Sequence, residues 1–176
     1  METASVFGLK PDSVFKFFFS QGALDRYGKG TWHKKADSIV FSSRTRPATD
    51  FALVSSKTTG DNFITIKLVE NNTMILPYTE VTIKAGDKVV RQTTDSRGEA
   101  HFPQQSVTGI SLLFRLCPDR ESVFSIENSR HNYFECRLEP WIAEVFFENF
   151  SLQLAGKELS GKHPLLQGQV FRYEKE

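Results

Sequence analysis

Apolar and polar residues alternate with period two along most of the chain, and helical spacing is scarce. "SVFKFFFS" (13–20) predicts a first strand, entered through a turn at Pro11-Asp12. In "GKGTWHKKADSIVFSS" (28–43), Gly28 and Gly30 predict a turn and Thr31-Trp32-His33 a strand. Lys35-Ala36-Asp37 predicts a second turn and "SIVFSS" a third strand, so the start of the chain reads as a β-meander. "RTRPATDFALVSSKTTGDN" (44–62) is rich in Thr, Ser, Asp and Gly around Pro47. It predicts a loop holding one short strand near Phe51–Val54, and it is the best place for a module boundary.

"FITIKLVE" (63–70) is β-branched and alternating. "EVTIKAGDKVVRQTTDSRGEAHFP" (80–103) has hairpin form, with Val81 and Ile83 on one face and a turn at Ala85-Gly86-Asp87. Within it, Asp95-Ser96-Arg97-Gly98 has Asp first and Gly fourth, as a type I turn prefers. "GISLLFRLC" (109–117) is dense enough in apolar residues to predict a central strand buried on both faces. After a polar stretch at 118–132 come "YFECRLEP", "AEVFFENFSLQLAGKELSG" and "LLQGQVFRYEKE", with Gly156 and Gly161 bracketing a hairpin. The total is about ten or eleven strands. "PWIAEVFFENF" (140–150) alone has a helical alternative, and its Phe and Val content leans to strand. The expected fold class is all-β: an immunoglobulin- or transthyretin-like sandwich with flanking meander strands and little or no helix.

Composition sharpens this picture. The 176 residues include 16 Phe against 2 Met, an aromatic bias suited to pleated, half-buried surfaces. A net charge of +1 argues against general attraction to nucleic acid or anionic membrane. The charge is uneven, however. Residues 1–60 carry nine basic and five acidic side chains, and residues 118–176 carry seven and ten. Solvated surface charge accounts for this, and so would attraction between the two ends of the chain. No stretch approaches the ~20 apolar residues that span a bilayer, and no leader pattern precedes the first strand. A periplasmic or surface-associated location is expected if a signal segment was removed, and a cytoplasmic one otherwise.

Residues 62–116 resemble the carboxypeptidase-regulatory-like and transthyretin-like β-sandwich modules, through Val81, Ile83, Thr94, Asp95, Gly98 and Phe102. The meander "KPDSVFKFFFSQGALDRYGKGTWHKKADSIVFSS" resembles small lipocalin-like proteins of Bacteroidetes-type bacteria, and "FSLQLAGKELSGKHPLLQGQVFRYEK" resembles their closing hairpin. Together these imply an N-terminal meander at 1–57, a sandwich core at 58–118, and C-terminal strands at 119–176 packing with both. The sandwich modules are appended to very different proteins, so the resemblance implies a fold more than an activity.

No nucleophile elbow, P-loop, dinucleotide fingerprint or H-E-x-x-H occurs. No catalytic residue, no metal ligand and no cofactor is expected, and the ligand-binding residues are open. His33 and His163 could meet only in three dimensions, and exposed histidines explain them as well. Cys117 and Cys136 allow one disulfide or two buried free thiols, and their alternating apolar setting favours the thiols. Tyr27 and Trp32 among Lys29, His33, Lys34 and Lys35 form an aromatic-basic patch that could take a single strand of nucleic acid or a sugar. "PWIAEVFF" offers an apolar edge. The reading is a non-enzymatic module that recognises a protein or glycan through strand edges and loops, with no nucleic-acid partner and no transmembrane segment. The alternative is a lipocalin-like carrier with a Phe-lined cavity.

Overall fold

The computed structural model describes residues 3–22, 24–127 and 130–174, and among them the fold is all-β. Sixteen strands follow in chain order. The first four are β1 (Thr3–Leu9), β2 (Val14–Gln21), β3 (Leu24–Lys35) and β4 (Ser38–Ser42). Next come β5 (Phe51–Lys57), β6 (Phe63–Leu68), β7 (Thr79–Ala85), β8 (Lys88–Thr93), β9 (Glu99–Pro103) and β10 (Gly109–Phe114). The chain ends with β11 (Ser122–Ser125), β12 (Tyr133–Leu138), β13 (Glu144–Val145), β14 (Phe150–Ala155), β15 (Glu158–Lys162) and β16 (Val170–Glu174). Among the described residues one 3-10 segment occurs, Thr73–Tyr78, capped where the Asn72 side chain accepts from the Met74 N–H.

Two compact units result. The first joins residues 1–46 to 143–176, and the second holds 47–142. The crossings therefore come at 46/47 and 142/143, where the sequence reading put 57/58 and 118/119. Pro47 does lie at the first crossing, inside the polar loop expected to divide the chain.

The second unit has two four-stranded sheets, ordered β11-β10-β7-β8 and β5-β12-β6-β9. Each buries one face: Val81 and Ile83 on β7, Ile110 and Leu112 on β10, Ile64 and Ile66 on β6, Phe134 on β12. β10 is central, between β7 and β11, yet it alternates buried and half-buried residues, so only one face is dry. The apolar Leu113 on its other face misled the sequence reading. The segment 118–132, a polar stretch in which no strand is expected, contains β11, whose Ser122 and Phe124 pair with Leu112 and Ile110.

The turn at Asp95 behaves as its composition predicts. Gly98 N–H donates to the Asp95 carbonyl (2.9 Å), and Asp95 Oδ1 accepts from the N–H groups of Arg97 (2.8 Å) and Glu99 (2.9 Å). Gly98 has φ 77°, and a Cβ there would meet the Leu68 carbonyl oxygen at 2.7 Å. Thr94 is buried and donates its hydroxyl to the Leu76 carbonyl (2.6 Å). The Glu99 N–H, joined by the Arg97 N–H and guanidinium, holds the Asp95 carboxyl below the ordinary carboxylate range. Its stabilisation is thus present at neutral pH and disappears as acid protonates the carboxylate. Asp95→Ala should cost about 1 kcal/mol, because the freed N–H groups can turn to water. Denaturant midpoints check this, and binding by the protein should be unchanged.

The first unit is one eight-stranded sheet ordered β1-β2-β3-β4-β14-β15-β16, with β13 added parallel to β3, and it is nearly closed into a barrel. Its interior is built of phenylalanine. Phe15, Phe17 and Phe19 alternate inward from β2 and meet Phe41, Phe147 and Leu152. Phe7 of β1 lies 4.6 Å from Phe41, 4.7 Å from Phe17 and 5.1 Å from Tyr173, ring centre to ring centre. The two ends of the chain meet directly: β4 pairs β14 from Phe41↔Phe150 to Ser38↔Gln153.

Gly28 and Gly30 do not turn the chain. They lie inside the twelve-residue β3 because other atoms come too close for a side chain. A Cβ on Gly28 would meet the Phe147 ring at 2.6 Å, and one on Gly30 would collide with the Ser42 carbonyl oxygen. The sequence reading mistook close-approach glycines for turn glycines, and it did not register β1 at all.

Candidate binding surface

Period-two geometry divides β1, β2 and β3 into an inner and an outer face. The inner face supplies the Phe interior, and the outer face is assembled by register. Val6 of β1 stands opposite Phe18 of β2, which stands opposite Tyr27 of β3. These three side chains form one continuous row, and they are 56%, 45% and 42% exposed. Three other exposed aliphatics face polar partners across their ladders: Val89 opposite Lys84, Val123 opposite Ser111, Val170 opposite Lys162. A contiguous exposed apolar row differs from scattered single residues, because it can be covered by one partner surface.

The rows on either side are charged asymmetrically. Toward one end lie Gly8, Lys16 and Lys29 in register; toward the other lie Ala4, Ser20 and Asp25. Lys16 and Lys29 are directly opposite one another, an unfavourable like-charge pairing within a sheet. That repulsion is relieved when an anionic group lies across both.

Beyond Tyr27 the row continues to Glu144 of β13. The Glu144 carboxylate is buried under Arg44, which donates through Nε (3.2 Å) and Nη2 (2.7 Å). This bidentate pairing raises the Arg44 pKa further. The guanidinium carbons of Arg44 and Arg46 stand 5.2 and 5.5 Å from the centre of the Phe146 ring. "PWIAEVFF" is therefore neither a helix nor a free edge: Pro140 to Ala143 turn, Glu144–Val145 pair with β3, and Phe147 enters the interior.

The aromatic-basic patch read from 27–35 divides between the two faces. Tyr27, Lys29, His33 and Lys35 are exposed on the outer face, whereas Trp32 packs on the Phe interior and donates its indole N–H to the Lys10 carbonyl (3.1 Å). Stacking on Trp32 is thereby lost to any strand of nucleic acid or sugar ring. His33 and Lys35 instead line an open groove of about 440 Å³ with Ser38, Val40, Asn149 and Ser151.

His163 lies on the other side of the sheet, 5% exposed. Its Nδ1 accepts from the N–H groups of Leu165 (3.1 Å) and Leu166 (3.0 Å), so the ring proton resides on Nε2. Nε2 donates to Ser5 Oγ (3.0 Å), which shares a further hydrogen bond with the Tyr173 hydroxyl (3.2 Å). The pair has the outline of a nucleophile and its base, but the protonated nitrogen faces the serine, so the imidazole holds Ser5 rather than activating it. Its neighbours are the Phe17, Phe19 and Phe171 rings. His33 and His163 therefore lie on opposite faces of the sheet, and no group of three metal-ligating side chains exists among the described residues.

Cys117 and Cys136 are buried, and neither forms a disulfide. Burial pushes the Cys136 thiol up to about 12, so it carries no thiolate at neutral pH. His131 is engaged with Ser56 Oγ at 2.8 Å. Among the described residues, no helix is long and apolar enough to cross a membrane. Comparison of the chain with family models, curated proteins and solved structures returned no match.

Proposed function

We propose that the protein is a non-enzymatic binding and assembly module whose working surface is the outer face of β1–β3. The observation that carries this reading is the row Val6–Phe18–Tyr27: three exposed apolar side chains in register, beside the paired Lys16 and Lys29. Interfaces combine such an apolar, aromatic centre with a charged rim. The partner is accordingly a protein surface with an apolar strip and a carboxylate near its border. A glycan would need a flat aromatic platform, and Trp32 faces the interior.

The packed interior supports this reading over the lipocalin-like carrier. A carrier keeps several hundred Å³ open for its ligand. Here Phe7, Phe15, Phe17, Phe41 and Phe147 pack on one another at 4.6 to 6.4 Å between ring centres, and Phe15 and Phe41 are wholly buried.

Photo-crosslinking tests the assignment. A photoreactive residue at position 18, introduced in the cell of origin, should give a discrete crosslinked protein that the same residue at position 61 does not. Binding of that protein should weaken by tenfold or more (about 1.4 kcal/mol) in Phe18→Ser. Equal crosslinking from both positions, or unchanged affinity in Phe18→Ser, would overturn it.

A further inference from the structure

The rows flanking Val6–Phe18–Tyr27 are complementary to each other, which identifies one partner the face fits: itself. Resting on the binding reading above, we infer that two copies of this chain associate face to face through β1–β3, about a two-fold axis lying along the apolar row.

The geometry follows from the register. A two-fold axis in the plane of the interface and perpendicular to the strands reverses strand direction while keeping each strand above its own counterpart. Val6, Phe18 and Tyr27 then meet the same residues of the second copy, so the contact is isologous. The flanking rows exchange places. Lys29 of one copy lies over Asp25 of the other, Lys16 over Ser20, and Gly8 over Ala4. Each copy contributes the same contacts, giving two Lys29–Asp25 pairs, one on each side of the apolar row. Each carboxylate also approaches the Lys16–Lys29 pair, which forms no ion pair among the described residues.

A two-fold axis along the strands does worse. It would set Lys16 on Lys16 of the second copy and Lys29 over Gly8. Only the first arrangement pairs opposite charges while burying the whole row. Stacked sheets stand about 10 Å apart, a distance that two layers of Val, Phe and Tyr side chains fill. At the β1 end, Ala4 and Gly8 leave no bulk to hold the faces apart.

Charge reversal with rescue tests this on the full chain, by sedimentation equilibrium over a wide concentration range. The wild type should show a concentration-dependent monomer–dimer equilibrium. Asp25→Lys and Lys29→Asp should each weaken it about tenfold or more, since every reversal sets two like-charge pairs in the interface. The double variant Asp25→Lys/Lys29→Asp should return to near the wild-type constant, and Phe18→Ser should be monomeric. All three substituted positions lie on the outer face, and circular dichroism verifies that each of the four variants is folded. A wild type that stays monomeric, or a double variant no better than the singles, overturns the dimer. If position 18 still crosslinks to a different protein in that case, the binding reading survives without self-association; if it crosslinks to nothing, both fall.

Discussion

Phe41→Ala is expected to destabilise the first unit by about 3–5 kcal/mol, the cost of emptying a fully packed aromatic site. Phe41 is wholly buried and touches Phe7, Phe15, Phe147 and Phe150 at 4.6 to 6.4 Å between ring centres. Its neighbours extend from strands at both ends of the chain, so the hole cannot close by moving one segment. β4 is held in register by β3 on one side and β14 on the other. Chemical denaturation should show the loss as a lower midpoint. A second readout separates a solid interior from a ligand cavity. Xenon or benzene should bind Phe41→Ala and leave the wild type unoccupied, because an engineered apolar void of this kind stays dry and accepts such probes. Saturable benzene uptake by the wild type would instead revive the carrier.

His163 should give the second large effect, and with it an acid limit to the stability of the first unit. The sheet closes between β1 and β16 through side chains: His163 holds Ser5, Ser5 meets Tyr173, and Phe7 packs edge-on against Tyr173 at 5.1 Å. His163→Ala removes the acceptor for two N–H groups and the donor to Ser5, and should cost about 2–3 kcal/mol. His163→Asn keeps an acceptor close to the position of Nδ1 and loses only the reach to Ser5, so it should cost about 1 kcal/mol. Burial lowers the His163 pKa below its ordinary 6.5. As pH falls the unfolded chain therefore takes up a proton before the folded one. The contribution of His163 is complete above that ordinary value and is lost progressively below it. Protonation would also put an N–H on Nδ1, facing the Leu165 and Leu166 N–H donors. No carboxylate compensates among the side chains facing the imidazole, which are Phe17 and Phe19 from β2, Ser5 from β1, and Phe171 and Tyr173 from β16. Unfolding free energy measured from pH 7 down to pH 5 should fall in the wild type and lose that dependence in both variants. A wild-type slope surviving in His163→Asn would place the titrating group elsewhere.

Much of the architecture was legible in the sequence because strand periodicity is a local signal. The alternation in 13–20, 63–70 and 80–84 identified β2, β6 and β7, and the Asp95–Gly98 turn followed from residue chemistry alone. The errors occurred where a long-range contact overrides a local preference. Gly28 and Gly30 look like turn residues until Phe147, 119 residues on from Gly28, and Ser42, 12 residues on from Gly30, are seen to occupy the space of their side chains. β1 is short and weakly patterned, with Ala4, Ser5 and Gly8 among its seven residues, and its strand character comes from pairing with β2. The candidate surface was hidden for the same reason. Val6, Phe18 and Tyr27 are unremarkable in a linear sequence, and only the β1–β2–β3 register makes them neighbours. A period-two reading that extended to residues 3–9 would have supplied the first of them, and the outward phase of Phe18 within "FKFFF" the second. Trp32, the most conspicuous aromatic residue of the N-terminal segment, could belong to an exposed aromatic-basic patch on sequence alone, and it packs inward because β3 continues unbroken through both glycines.

Hydroxyl-radical footprinting of the full chain, in extract from its cell of origin and as purified dilute protein, tests the central assignment most directly. The outer face of β1–β3 should be the region that changes: Val6, Phe18 and Tyr27 oxidised readily when dilute and protected in extract, with Met74 and Val170 equally reactive in both. Protection confined to His33 and the groove around it, or identical reactivity of the three row residues in the two states, would contradict it.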